Sequence, residues 1–381
     1  MSVYRRASGR WAVLVDETRP STGKRVRVSL GTFERKRDAD AAERAAKIRL
    51  ERGETLGGSL TVADLYERWI ASAAARGLAE TTLDGYRRRW AYCATIAATV
   101  ANELRPATIA RLYEDLRDHG GLRRGADGGG GPLSAQSVQH VHATLAAMFA
   151  WAYRLELVQR NVMKQVQPGH LPRRQVRPYA ADDARRLIEA AARTRYGPLV
   201  MLGMTTALRR GELAGLRWDD VDLERRTATI RGSVVMISGL KAYKTTKQDR
   251  IETIALSALA VVALDAQRAL QVADREAAGD RYRDEGWVFA TVLGGMPSPA
   301  AIAKNVRKIA MGAGLTMGGM HAMRHSVATW LLREGVDIRT VSAVLRHAQT
   351  SVTLDVYAHE VQGSQAAAVG EIDRILGSRD P

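Results

Sequence analysis

A proline-rich segment near the middle of the chain limits what this sequence can fold into. Val166–Pro178 reads VQPGHLPRRQVRP, with three prolines and three arginines. Proline lacks a backbone N–H and fixes φ, so neither a helix nor a central strand can run through this segment. It is typical of an extended basic linker, and Gly53–Gly58 (GETLGG) is typical of a flexible one. We therefore expect the 381 residues to form three domains, at 1–55, 60–165 and 175–381.

The first segment alternates like a pair of strands and then becomes helical. Arg10–Asp16 and Lys24–Leu30 carry apolar residues at strand spacing on either side of turn residues, and Arg37–Leu50 is rich in helix formers. In the second strand, valines alternate with Arg25 and Arg27, which gives one apolar and one basic face. The basic face either enters a DNA major groove, which admits a short β-ribbon, or is an ordinary solvated face.

The middle segment, 60–165, shows only helical periodicity. Thr61 is placed to cap a helix, with Asp64 three residues later. Further helices are expected over Thr81–Ala98, Thr108–His119 and Ser134–Leu157. The result is an all-helical bundle without chemistry of its own, whose Arg87 and Arg88 either line a solvated face or contact DNA.

Composition excludes several classes of protein. Lysine and arginine number 57 against 41 acidic residues, a net charge of +16 that is spread over all three segments. This charge favours a polyanionic partner, first of all nucleic acid, over a basic surface kept only for solubility. No apolar run approaches the ~20 residues of a membrane span, and no signal peptide is recognisable, so we expect a cytoplasmic protein without a membrane partner. The single cysteine, Cys93, excludes a disulfide framework.

Four short motifs concentrate ionisable side chains in the third segment. They are TALRRGELAGLRWDDVD at 206–222, LKAYKTTKQDR at 240–250, HAMRH at 321–325 and LRHAQTSVTLDVYAH at 345–359. Glu212 follows Arg209 by three residues, close enough to support it. His321 and Arg324 are also three apart, which places them on one side of a helix. Each motif alone has a structural explanation, such as a core-edge aromatic for Tyr357, but the combination does not.

In this combination the sequence resembles the tyrosine recombinase (phage integrase) family. The family order of Arg, Lys, His-x-x-Arg, His or Trp, and Tyr is met by Arg209, Lys244, His321, Arg324, His347 and Tyr357. Lys244 is chosen because a threonine follows it, and Lys241 and Lys247 stay open as alternatives. The family usually has glycine where Ala207 and Arg346 stand, so each position needs a backbone conformation that an L-residue can adopt. Arg346 also adds a cation beside the expected site.

The resemblance implies a multidomain α+β fold. Residues 1–55 would form an arm-type DNA-binding domain with a three-stranded sheet and a helix, and 60–165 a core-site DNA-binding bundle. Residues 175–381 would form a mainly helical catalytic domain with a small antiparallel sheet. Its strands are expected at Thr227–Arg231, Val234–Ile237 and Arg250–Ile254. The residues expected to contact DNA are Arg25, Arg27, Arg87, Arg88, Arg173 and Arg174.

The resemblance also implies attack by Tyr357 on a DNA phosphodiester, giving a 3′-phosphotyrosyl bond and a free 5′-hydroxyl. Another 5′-hydroxyl then attacks that bond, so strands are exchanged without ATP or a cofactor. The guanidinium groups of Arg209 and Arg324 suit the non-bridging oxygens, whose negative charge grows in the transition state, and His347 donates a further hydrogen bond. The sequence shows no acidic or histidine cluster typical of a two-metal site, so we expect no metal.

Two side chains are candidates for proton transfer. Lys244, expected near a hairpin tip, would be the acid for the departing 5′-oxygen, and His321 the acid or base near the tyrosine. Glu212 and His325 would orient the residues that bind the phosphate and would not contact the phosphate themselves.

The expected partners are double-stranded DNA attachment sites and further copies of the chain, because exchange between two duplexes implies a tetramer. An excisionase and a host DNA-bending protein are accessory partners that such an enzyme can use. The C-terminal stretch 362–377 either docks on a neighbouring copy or packs on its own chain. An integrase of a phage or mobile element in a bacterial cell is favoured by the arm-like 1–55 segment. A chromosome- or plasmid-resolving recombinase, a type IB topoisomerase and a non-catalytic DNA-binding regulator are the alternatives.

Overall fold

The computed structural model divides into two compact units, Met1–Pro172 and Arg173–Pro381. It describes residues 2–5, 9–18, 25–51, 60–120, 131–169, 178–245, 251–315 and 319–346. Five of the residues singled out above lie outside these ranges: Arg173, Arg174, Lys247, His347 and Tyr357. The stretch 362–377 lies outside them too. The first unit contains both N-terminal segments, and their separation into two domains stays a prediction.

A three-stranded antiparallel sheet begins the first unit, as the resemblance implies. Its strands β1 (Ser2–Arg5), β2 (Trp11–Thr18) and β3 (Arg25–Phe33) lie in chain order, and helix α1 (Lys36–Glu51) follows. Buried residues of β2 and α1 form a small core: Val13, Val15, Ala39 and Ala46. The exposed side chains of Arg25 and Arg27 both form ion pairs with Asp16 on the neighbouring strand, at 3.5 and 2.9 Å. Because one carboxylate pairs with two guanidinium groups, this face of the sheet keeps a net positive charge.

The remainder of the first unit is a helical bundle. Its helices are α2 (Val62–Ala75), α3 (Glu80–Trp90), α4 (Ala94–Ala97), α5 (Pro106–His119) and α6 (Ala135–Arg154). Thr61 and Asp64 cap α2 reciprocally, as their spacing predicts. The single helix expected over Thr81–Ala98 is wrong, because a 3₁₀ turn at Ala91–Cys93 divides it. The turn follows Trp90, which stacks on Tyr66 at 4.2 Å, and it lets Cys93 and Ile96 point into the core.

The two basic candidates of this bundle both have acidic neighbours. Arg87 pairs with Glu80 at 2.5 Å, and Arg88 pairs with Asp84 at 2.9 Å. Asp84 is buried while Arg88 is exposed, so this pair presents its positive end to solvent. Throughout the described ranges, no helix combines the length and the hydropathy that a membrane crossing requires.

The second unit packs seven helices around two small sheets, within the residues that the structure describes. The helices are α7 (Ala181–Ala192), α8 (Gly197–Thr206), α9 (Arg210–Gly215), α10 (Ala258–Ala278), α11 (Pro299–Gly312), α12 (Met320–Arg333) and α13 (Ile338–Val344). The strands are β4 (Val221–Asp222), β5 (Thr227–Ile230), β6 (Gly232–Ile237), β7 (Leu240–Thr245) and β8 (Glu252–Ala255). One sheet has the order β4-β5-β8, and β6 and β7 form a separate hairpin. The mixed, mainly helical fold with small antiparallel sheets is confirmed.

Two details of this unit differ from the sequence pattern. The sequence pattern does not predict strand β7, since LKAYKT lacks a clear apolar alternation, yet this strand pairs with β6 along its whole length. The hairpin turn lies at Ser238 and Gly239, both with positive φ. Lys244 therefore sits at the open end of the hairpin, and its expected position near a tip is wrong for this hairpin.

Tyr179 ties the start of the second unit to α12. Its N–H donates to the hydroxyl of Ser326 at 2.7 Å, and its carbonyl accepts from the indole N–H of Trp330 at 3.1 Å. Its own hydroxyl accepts from the N–H of Gly319, directly before α12, at 2.9 Å. These three bonds fix the position of the helix that carries His321 and Arg324.

Candidate active site

Arg209 emerges from the short turn between α8 and α9. Ala207 ends α8 in the left-handed conformation, with φ at +51°, and turns the chain so that Arg209 precedes the first turn of α9. Glu212 holds this arginine twice, accepting from its backbone N–H at 2.7 Å and from Nη1 at 2.8 Å. The spacing of three residues predicts this support, and the geometry shows it. The Arg209 side chain remains 45% exposed, so it can meet a ligand.

Arg324, in contrast, is buried and joins two distant segments. It lies on α12 with 6% of its surface exposed. Its Nη1 donates to the carbonyl of Ala207 at 2.6 Å, and its Nη2 donates to the carbonyl of Leu345. Two carbonyls at the ends of different helices are thus satisfied by one guanidinium group.

Arg346 is a member of the site that the sequence pattern only partly reveals. Its carbonyl accepts from Nη2 of Arg209 at 2.9 Å. Its guanidinium group is turned inward, where Nη2 donates to Oε2 of Glu212. The sequence shows a cation beside the expected site, but the pairing with Glu212 depends on the fold, which brings together residues 134 positions apart.

Both positions at which the family usually has glycine are left-handed here. The φ angles are +51° at Ala207 and +50° at Arg346. The left-handed conformation costs an L-residue about 1–2 kcal/mol. Each of these residues accepts a hydrogen bond from a site arginine through its carbonyl. The chain thus adopts a left-handed backbone at both positions although neither residue is glycine.

His321 lies at the start of α12, where part of its surface is open to solvent and part is covered. Partial burial, together with the positive charges of Arg324, Arg209 and Arg210, lowers its pKa below the ordinary value of about 6.5. The lowered pKa favours the neutral form of His321, which can accept a proton. The ring of His325 contacts it edge-on, with the ring centres 4.8 Å apart.

The strand register separates the two described lysine candidates. Gly211 packs against β6 so closely that a β-carbon would lie 3.2 Å from Cβ of Ser233. Lys244 is the cross-strand partner of Ser233, the residue that Gly211 approaches. Lys241 lies opposite Met236 near the turn, and its Nζ donates to the carbonyl of Met296 at 2.6 Å. This arrangement favours Lys244.

The described part of the site is rich in cations. Glu212 is the carboxylate in direct contact with both Arg209 and Arg346, and Glu252 lies 4.0 Å from Arg346. The charges of Arg324 and Arg209 both act on His321, and Glu212 is in contact with Arg209. Arg25, Arg27, Arg87 and Arg88 belong to the other unit. Within the described ranges, no group of three or more His, Cys, Asp or Glu side chains is arranged to hold a metal ion.

Comparison with known proteins identifies the family. Residues 179–363 match the model of the phage integrase family. Tyrosine recombinase XerD of Mycobacterium leprae is 30% identical over 61% of this chain and 72% of its own length. The chain belongs to the tyrosine recombinase (phage integrase) family. A XerC-like tyrosine recombinase of Caldanaerobacter subterraneus subsp. tengcongensis is 24% identical over 83% of this chain and 84% of that protein.

Solved structures of recombinases share the fold. The Tn1549 transposon integrase in complex with circular intermediate DNA aligns with a TM-score of 0.66 at 15% identity, over 83% of this chain and 99% of that one. The lambda integrase tetramer bound to a Holliday junction aligns with a TM-score of 0.56 at 18% identity, over 91% of this chain and 92% of that one.

The close packing of α9 on β6 predicts an unequal response to two glycine substitutions. In Gly211→Ala the new β-carbon would lie 2.9 Å from the backbone oxygen of Val234, so α9 must shift. We expect a loss of about 1–3 kcal/mol in the free energy of unfolding. The matched control, Gly312→Ala at the end of α11, meets no atom of the described residues within 4 Å and should be neutral or slightly stabilising. Urea unfolding of both variants measures the difference, and equal stabilities would contradict the packing argument.

Proposed function

We propose that this protein is a site-specific DNA recombinase that cleaves and rejoins DNA through a covalent 3′-phosphotyrosyl intermediate, and that it integrates or excises a phage or mobile element. The observation that carries the proposal is the meeting of Arg209, held by Glu212, with the buried Arg324 and with His321 in one site. Membership of the tyrosine recombinase family supports the same reaction.

The electrostatics of the site suit a phosphodiester. The transition state of phosphoryl transfer places extra negative charge on the non-bridging oxygens, which fixed guanidinium groups stabilise. Arg209 is oriented by Glu212 and by the carbonyl of Arg346, so little reorganisation is needed when DNA binds. Arg324 is fixed by its two carbonyl partners. Hydrogen bonds therefore hold both guanidinium groups in position.

The remaining roles follow the chemistry of each group. Tyr357 is proposed as the nucleophile, and its hydroxyl, with an ordinary pKa of about 10, must lose a proton. The neutral His321 can accept a proton in this site. Lys244 is proposed to protonate the departing 5′-oxygen, and His347 to donate to a non-bridging oxygen. Residues 1–55 are proposed as a second DNA-binding domain.

The proposed partners are DNA attachment sites and other copies of the chain in a tetramer. The related lambda integrase forms a tetramer on a Holliday junction, and the Tn1549 integrase binds a circular DNA intermediate. An excisionase and a host DNA-bending protein are proposed as accessory partners. A resolving recombinase is the second candidate, because the relatives include proteins named XerC-like and XerD. The additional sheet of 1–55 favours the integrase.

Covalent trapping tests the reaction and supplies its substrate. A pool of randomised duplexes, each nicked so that cleavage releases a short strand, is incubated with the full chain without metal or ATP. We expect a DNA adduct that survives denaturation, and sequencing of the adduct identifies the core site. Tyr357→Phe, Arg209→Ala and Arg324→Ala should abolish the adduct, whereas the control Tyr282→Phe should retain it. An adduct in Tyr357→Phe would refute the assignment of the nucleophile.

The pH dependence of cleavage tests His321. Because the pKa of His321 is lowered, its neutral form persists below pH 6.5, and cleavage should decline only when the pH falls through that lowered value. His321→Gln cannot take up the proton, so its slower cleavage should lose this acidic limb. Single-turnover rates between pH 5 and 8 on the trapped core site measure both profiles. An unchanged acidic limb in His321→Gln would assign the limb to another group.

Deletion of residues 1–55 separates the integrase from the resolving recombinase. The sheet and α1 have their own small core, so the deletion leaves the core of the helical bundle complete. For an integrase, cleavage of the isolated core site should persist while integration into a plasmid falls by at least about tenfold, because linked binding domains gain from effective concentration. Unchanged integration would favour the resolving recombinase. Gel shifts on longer attachment DNA provide the matching binding measurement.

A further inference from the structure

Arg346 stands where the family usually has glycine, yet its side chain points into the protein. The backbone is left-handed and the side chain is only 5% exposed. Arg226 offers a contrast, because it is also left-handed, with φ at +53°, but is exposed. Burying a guanidinium group is costly unless an opposite charge compensates it. The buried position of Arg346 therefore calls for a partner.

Glu212 is that partner. Nη2 of Arg346 donates to Oε2 of Glu212, whereas Nε is 4.0 Å from Glu252. Nη1 is buried and makes no hydrogen bond with the residues that the structure describes. Among the residues that the structure describes, Glu212 thus provides the main compensation for this charge.

The same carboxylate also holds Arg209, so two arginines share it. Oε2 accepts from Arg346 and from the backbone N–H of Arg209, and Oε1 accepts from the Arg209 guanidinium group. Burial alone would raise the pKa of Glu212, but the charge of Arg346, followed by the hydrogen bonds from Arg209, holds it below its usual value. Arg346 therefore helps to keep Glu212 ionised.

Within the described ranges, the other groups around Glu212 do not replace Arg346. Strand β6, which packs on α9, has no ionisable side chain in its sequence GSVVMI. Helix α11 also packs on α9, but its three cations, Lys304, Arg307 and Lys308, are exposed. Arg210 is exposed as well, and Glu252 of β8 adds negative charge.

We propose that Arg346 is a positioning residue of the recombinase reaction. Its guanidinium group balances Glu212 and its carbonyl holds Arg209, so that the charge of Arg209 stays available to the DNA phosphate. With glycine at position 346, Arg209 would be the cation left to balance Glu212 among the described residues. This inference rests on the proposed function, because it concerns the phosphate that Arg209 is proposed to bind.

The first test compares side chains of similar length at position 346. Arg346→Lys keeps a cation, whereas Arg346→Gln removes the charge and leaves the other site residues unchanged. Single-turnover cleavage of the trapped core site should fall by roughly 10- to 100-fold in Arg346→Gln. Arg346→Lys should retain most of the rate. Equal rates in these two variants would overturn the proposal.

The second test removes the side chain and controls for the backbone. Arg346→Gly relieves the left-handed strain but should slow cleavage as Arg346→Gln does. The matched control, Arg226→Gly, also replaces a left-handed arginine by glycine, at an exposed position away from the site, and should cleave at the wild-type rate. Thermal unfolding of each variant shows whether it is folded. A folded Arg346→Gly with wild-type cleavage would contradict the proposal.

The third test is a pH profile, which a purely structural role would not move. Burial raises the pKa of Glu212, and without Arg346 this effect is opposed by Arg209 among the described residues. Glu212 should therefore take up a proton at a higher pH than in the wild type. Cleavage by Arg346→Gln should therefore decline at a higher pH on the acidic side. In a Glu212→Gln background this shift of the acidic limb should disappear. Adding Arg346→Gln to that background should slow cleavage by less than a further twofold. Equal losses from Arg346→Gln in both backgrounds would overturn the proposal.

The outcomes also separate this inference from the proposed function. If the wild-type chain forms no covalent adduct with any duplex of the pool, the recombinase assignment fails. If the wild type forms the adduct and the Arg346 variants form it equally fast, only the role of Arg346 fails.

Discussion

The site in the second unit depends on one buried guanidinium group. Arg324 donates to the carbonyls of Ala207 and Leu345, which end α8 and follow α13. A buried carbonyl without a donor costs about 1–3 kcal/mol, so the two segments are held together by the need to satisfy both groups. Arg209 and Arg346 leave from these same segments. The positions of the other site cations thus follow from Arg324.

A second constraint is the balance of charge around Glu212, next to the proposed phosphate site. Arg209 and Arg346 converge on Glu212, and a buried ion pair is favourable only when hydrogen bonds satisfy its members. Glu212 meets this condition with three donors on its two oxygens. The site therefore combines a rigid interior with an exposed Arg209, the arrangement that an anionic substrate requires.

The sequence is sufficient for those parts of the site that depend on local spacing. The support of Arg209 by Glu212 and the shared helix of His321 and Arg324 follow from a separation of three residues. Strand β7 and the register that favours Lys244 do not, because LKAYKT acquires its strand conformation from pairing with β6. The contact of Arg346 with Glu212 joins distant parts of the chain, so no local pattern shows it. The roles of His347 and Tyr357 rest on the family pattern and stay predictions.

The close approach of α9 to β6 bears on how such proteins are recognised. Gly211 and Gly215 lie one helical turn apart, and at each position a β-carbon would meet the backbone of β6 at 2.9–3.0 Å. Neither glycine has a side chain that could touch DNA. Part of the RRGELAG signature therefore records helix-on-strand packing rather than catalysis. A distant relative that lost its catalytic groups would still need these glycines for packing. A sequence match at the two glycines therefore indicates the fold, whereas a match at Arg209 bears on activity.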